Sequence, residues 1–80
     1  MAGTKILNVQ KNDSFDDVFG AFAATDASEV IFIFPKGSLF SKDASYFEQI
    51  KSEAQRSGKT VNVMTSDPVV AHLAVQNNLG

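Results

Sequence analysis

Glu29-Val30-Ile31-Phe32-Ile33-Phe34-Pro35-Lys36-Gly37-Ser38 is the stretch that decides the fold. Alternation along a strand sends Val30, Phe32 and Phe34 to one face and Ile31 and Ile33 to the other, so both faces are apolar. A segment of that kind belongs inside a parallel sheet, buried on both sides, because an antiparallel sheet with one wet face alternates apolar with polar residues. Pro35-Lys36-Gly37-Ser38 then stops the strand with turn formers.

Upstream, Lys5 to Gln10 is a short β-type run broken by Lys11-Asn12-Asp13. Ser14 with Asp17 three residues on resembles a capping box, and Asp16 and Asp17 put negative charge at the positive end of a helix. Phe15, Val18, Phe19 and Phe22 follow at i, i+3, i+4 and i+7, one face of an amphipathic helix that ends near Thr25. Gly20 costs that helix about 1 kcal/mol relative to Ala.

Downstream, a second helix is expected from Ser41 or Lys42 to Ser57, with Tyr46, Phe47, Ile50 and Ala54 inward and Gly58 closing it in the left-handed conformation. Lys59 to Thr65 alternates, placing Val61 and Val63 on one face and Asn62 and Met64 on the other. Asp67 as N-cap and Pro68 at the first helical position open a third helix, with Val70, Leu73, Ala74 and Asn77 along one side.

The order β-α-β-α-β-α defines an α/β domain with a three-stranded parallel sheet and right-handed crossovers, half of a flavodoxin- or Rossmann-like sheet. The doubly apolar strand belongs in the middle, in spatial order 1-2-3, with 2-1-3 the alternative. In 1-2-3 both crossover helices lie on one face, and the second face needs the third helix, a dimer partner or further sequence to cover it. In 2-1-3 the helices cover both faces.

With 80 residues this is a single domain, residues 1–80, and Gly80 falls where a loop to a fourth strand would begin, as in the N-terminal part of a longer protein. A chain of this size buries about 62% of the surface its unfolded form exposes, a marginal core. There is no Cys, so no disulfide framework and no thiolate metal or redox site, and His72 alone supports neither a zinc site nor a triad. Seven Lys plus Arg against nine Asp plus Glu, intermixed, argue against nucleic acid, which needs clustered cations to displace counterions. The apolar run Val30 to Phe34 is too short to cross a bilayer, and Met1 to Asn8 has no signal-peptide pattern, so the expected compartment is the cytoplasm.

Glu29 to Ser38, Phe47-Glu48-Gln49-Ile50-Lys51, Ala54, Gly58-Lys59, Val63 to Asp67, Leu73-Ala74 and Leu79-Gly80 together resemble an uncharacterised N-terminal domain of longer proteins from poorly studied bacterial lineages. Where that family tends to carry Asn-Leu-x-Leu-Leu-Lys, this chain has Tyr46-Phe47-Glu48-Gln49-Ile50-Lys51. The resemblance implies the first domain of something longer, often followed by a linker and a membrane-anchored or extracytoplasmic region. It implies no activity and no cofactor.

In a parallel α/β sheet ligands bind at the carboxyl ends of the strands, beside helix N-termini. There Lys36, Gly37, Ser38 and Ser41 offer a cation, a flexible backbone and two hydroxyls to a small anion or nucleotide, and Thr65 and Ser66 add two more hydroxyls. The plainer account has Gly37 relaxing a turn, Ser38 or Ser41 capping a helix and Lys36 in solvent. Asp13 and Asp67 could converge on a cation, yet turn formation and capping explain both. Gly58-Lys59-Thr60 mimics the end of a phosphate-binding loop, but it leads from helix to strand.

No general base or nucleophile has an activating neighbour, so the reading is non-enzymatic. The expected function is a protein-interaction or assembly module whose partner is another protein, a second copy or the remainder of its own chain. Anion or nucleotide binding is the alternative.

Overall fold

The computed structural model describes residues 3–79. β1 (Thr4–Asn8), α1 (Phe15–Ala24), β2 (Glu29–Phe34), a 3-10 turn (Leu39–Lys42), α2 (Ser45–Ser57), β3 (Thr60–Thr65) and α3 (Pro68–Gln76) follow in that order. The three strands are parallel and lie in the order β1-β2-β3, with Ile6 beside Ile31 and Ile33 beside Met64 in register. The alternative order 2-1-3 is thereby excluded. Gly80, where a loop to a fourth strand was expected, lies outside the described residues.

The heads of α1 and α3 and the end of α2 fall where the sequence places them. Ser14 Oγ accepts the Asp17 N–H at 3.2 Å at the head of α1. Gly58, at φ 72°, closes α2 with its N–H on the Ala54 carbonyl. Asp67 caps α3 ahead of Pro68.

The second helix departs from expectation at its start. Instead of a continuous helix from Ser41 or Lys42, the 3-10 turn Leu39–Lys42 comes first and α2 begins at Ser45. Ser38 Oγ accepts the Phe40 N–H at 3.2 Å, and this turn drives Phe40 inward, its ring 4.9 Å from that of Phe34. Asp43 is extended (φ −146°, ψ 107°), which breaks the helical path, and its Oδ1 accepts the N–H and hydroxyl of Ser45 at 2.9 and 2.7 Å. Those two bonds hold the Asp43 carboxyl below its ordinary pKa.

The core lies on one side of the sheet. Val30, Phe32 and Phe34 of β2, with Val9 after β1 and Val61 of β3, meet Val18 and Phe22 of α1 and Phe47, Ile50 and Ala54 of α2. Phe22 packs edge-on against Phe32 with ring centres 5.2 Å apart, and Phe34 sits 5.7 Å from Phe47. Farther out, Phe15 stacks on Tyr46 at 4.4 Å and 9°, locking the heads of α1 and α2 together.

α3 and the tail after it join this same cluster through Val70, Ala74 and Leu79. It packs against β3 and the 3-10 turn, and its tail shares a groove with Ala54, Lys59 and Val61. All three helices therefore cover one face. The expectation that β2 is buried on both sides is corrected: Ile31 and Ile33 are only half-buried, between neighbouring strands and beneath no helix.

This asymmetry sets unequal stabilities for the two faces. Phe32→Ala removes a fully buried ring and should destabilise the domain by about 3–5 kcal/mol. Met64→Ser, on the opposite face, should change stability by less than about 1 kcal/mol. Urea denaturation of the two variants measures both, and equal losses would contradict the one-sided core.

Candidate functional site

Three loops meet at the carboxyl edge of the sheet, and a single side chain ties two of them together. Asp67, 6% exposed, accepts the Val69 and Val70 N–H groups on Oδ1 at 2.9 and 3.4 Å and the Gly37 N–H on Oδ2 at 2.9 Å. One carboxylate thus caps α3 and anchors the loop after β2. Hydrogen bonding by Gly37, opposed by burial and aided by Val69, Val70 and the nearby Lys36 charge, holds its pKa below the ordinary Asp value.

The residues expected to hold an anion do come together here, and most of their polar groups are engaged internally. Gly37 adopts φ 79°, a left-handed conformation that suits glycine, and the Lys11 side chain crosses above it. Ser38 is fully buried; its carbonyl accepts the N–H and hydroxyl of Ser41 at 3.1 and 2.9 Å. Thr65 Oγ1 accepts the Asp67 N–H at 3.0 Å. Lys36 and Ser66 are exposed. An external anion at this edge competes with the Asp67 carboxylate for the Gly37, Val69 and Val70 donors.

Asp13 has a structural partner too. Asp13 Oδ2 accepts the Gln10 N–H at 2.8 Å, closing the turn after β1. Among the described residues no group of three His, Cys, Asp or Glu side chains is placed to hold a metal ion. A groove of about 420 Å³ between α1 and α2 is floored by Phe19 and walled by Glu48, Gln49 and Glu53. There Arg56 donates from Nε and Nη2 to both Glu53 oxygens, at 3.0 and 2.6 Å. His72 is exposed on α3.

The second feature is the open face of the sheet. Register and alternation place Thr4, Ile6 and Asn8 of β1, Glu29, Ile31 and Ile33 of β2, and Thr60, Asn62 and Met64 of β3 on it. Ile6 is 53% and Met64 58% exposed. Glu29 borders this apolar surface: Thr4 Oγ1 donates to one carboxylate oxygen at 3.0 Å and Asn62 Nδ2 to the other at 3.1 Å, joining all three strands. The Thr4–Glu29–Asn62 strap went unnoticed at the level of sequence, as did the Asp67–Gly37 link. Asn62 opposite an apolar central strand was a signal in the sequence, since a polar residue there fits a face without a covering layer.

Comparison with known protein families, curated proteins and solved structures finds no match to this chain. Within the described residues no helix is long and apolar enough to cross a membrane.

The Asp67 clamp makes a pH-dependent contribution to stability. Because its folded-state pKa lies below the unfolded one, the unfolded chain takes up the proton first as pH falls. The stabilisation is complete above about pH 4 and disappears as pH drops through the folded-state value. Asp67→Asn offers only one acceptor oxygen, leaving either Gly37 or the head of α3 without its partner. Its urea midpoint should fall below that of the parent at pH 7, and the gap should narrow by pH 3. A gap of equal size at both pH values would rule out the charged clamp.

Proposed function

We propose that this domain is a non-catalytic protein-docking module and that the open face of its sheet is the docking surface. The observation that carries this reading is the gathering of all three helices on the other face, which leaves Ile6, Ile31, Ile33 and Met64 without a covering layer. Parallel sheets normally have both faces covered, and a partner would supply the missing layer. The polar rim of Thr4, Glu29 and Asn62 supports the reading, since docking surfaces combine an apolar centre with a polar border. Recognition of a small anion or nucleotide at Lys36 to Ser41 and Thr65-Ser66 is the weaker reading, because Asp67 already takes the donors that an anion needs.

Methyl-labelled chain provides the test. In dilute buffer the Ile6, Ile31, Ile33 and Met64 methyl signals should be sharp. In an extract of the cells that make the protein they should broaden or shift more than the methyls of Val18 and Val70 in the core. An Ile6→Lys, Met64→Lys double variant alters two exposed positions, so it should stay folded and lose the selective broadening. Identical open-face signals in buffer and extract would sink the proposal.

A further inference from the structure

We infer that the occupant of the open face is a second copy of this chain, an inference that rests on reading that face as a docking surface. Strand register lays the face out in three rows: Thr4, Glu29, Thr60; then Ile6, Ile31, Asn62; then Asn8, Ile33, Met64. The apolar side chains form a diagonal band from Ile6 on β1, through Ile31 and Ile33, to Met64 on β3. Asn62 and Asn8 flank the band on opposite sides.

That layout is complementary to itself. A two-fold axis in the interface, running along the band, lays the band on its copy and sets each Asn8 over the other copy's Asn62. An axis across the band sets Ile6 over Met64, and Asn8 and Asn62 each over its own equivalent. In both cases apolar groups meet apolar groups and amides meet amides, which can donate and accept at once. The band runs about 55° from the strands for ~4.8 Å strand spacing and ~3.3 Å rise, so the two sheets cross steeply, near the orthogonal class of sheet packing.

Charge does not oppose the pairing. Glu29 is the one charged side chain among the paired positions of this face, and it lies in the end row, outside the band. With sheets ~10 Å apart and both side chains projecting into the gap, either axis leaves the two carboxylates roughly 12–17 Å from each other, beyond the ~8 Å Debye length at physiological salt.

The area sets the strength. Three strands and five residues give a footprint of roughly 14 by 17 Å, about 240 Å² in plan per copy and about a third of the ~800 Å² typical of a stable interface. The dimer is therefore weak and reversible, populated in concentrated solution and dissociating on dilution.

Sedimentation of the purified chain from micromolar to millimolar concentration, combined with photocrosslinking, tests this. A benzophenone amino acid at Met64 should give an adduct of twice the chain mass in the millimolar sample, and the same probe at Ala71, exposed on α3, should not. Ile33→Lys should weaken dimerisation at least tenfold, and Ile6→Lys, at a more exposed position, should do the same with the fold intact by circular dichroism. A chain that stays monomeric at millimolar concentration, or that crosslinks equally from both positions, overturns the inference. If the Met64 probe then captures a different protein in cell extract, the docking surface stands and only the second copy falls. If it captures nothing in either setting, both fail.

Discussion

The handedness of the β-α-β crossover governs this molecule. With strands in the order β1-β2-β3, each crossover steps the same way across the sheet, and a right-handed connection then has to place α1 and α2 on the same face. α3 had the geometric option of crossing to the other face, but its chemistry directs it otherwise. Asp67 fastens the head of α3 to the loop after β2, and the Leu79 N–H bonds to the Ala74 carbonyl, folding the tail back so that Leu79 joins the core. Both ends of α3 are thus tied to the face that already carries the other helices.

One-sided layering explains why so many aromatic rings are needed. A two-layer domain this small has one interior, between sheet and helices, and large side chains fill it most economically. Phe22, Phe32, Phe34, Phe40 and Phe47 form a continuous series of ring contacts from α1 through β2 to the 3-10 turn and α2. Lys59, 5.4 Å above the Phe22 ring, closes the lower end with a cation over an aromatic face. The 3-10 turn belongs to this design: without the capping role of Ser38, Phe40 would not be turned into the gap between Phe34 and Tyr46.

Strands, helices and their caps were legible in the residues because the signals are local. Ser14, Gly58 and Asp67-Pro68 mark helix ends through bonds or dihedrals that span a few residues, and the core stripe of α1 follows from spacing alone. The central position of β2 was legible from its doubly apolar pattern. What stayed hidden depends on partners distant in the chain. The Asp67–Gly37 bond spans 30 residues and Glu29–Asn62 spans 33, so nothing in local spacing announces either. The break at Asp43 was missed for a different reason: the helix was started at Ser41 or Lys42, whereas the 3-10 turn that buries Phe40 comes first and moves the start of α2 to Ser45. Ser38 and Thr65 were read as hydroxyls available to an anion, whereas their oxygens accept the Phe40 and Asp67 N–H groups.

The two faces of β2 also show why apolar composition alone cannot report burial. Val30, Phe32 and Phe34 lie opposite helices, while Ile31 and Ile33 are shielded only by the strands on either side. β-branched residues are favoured in a central strand whether or not a layer covers them, because they pack against neighbours on the pleated surface. Strand preference therefore accounts for Ile31 and Ile33. It does not account for Ile6 and Met64, which lie on edge strands more than half exposed, where Thr, Lys or Glu would satisfy the backbone equally and resist unwanted association. The same two strands carry Asn8, Thr60 and Asn62 at neighbouring outward positions, so polar residues are structurally acceptable on this face. Apolar side chains at Ile6 and Met64 thus mark a surface distinct from its polar surroundings, and it is their diagonal placement, more than the apolar centre of β2, that gives the face a shape for a partner to match.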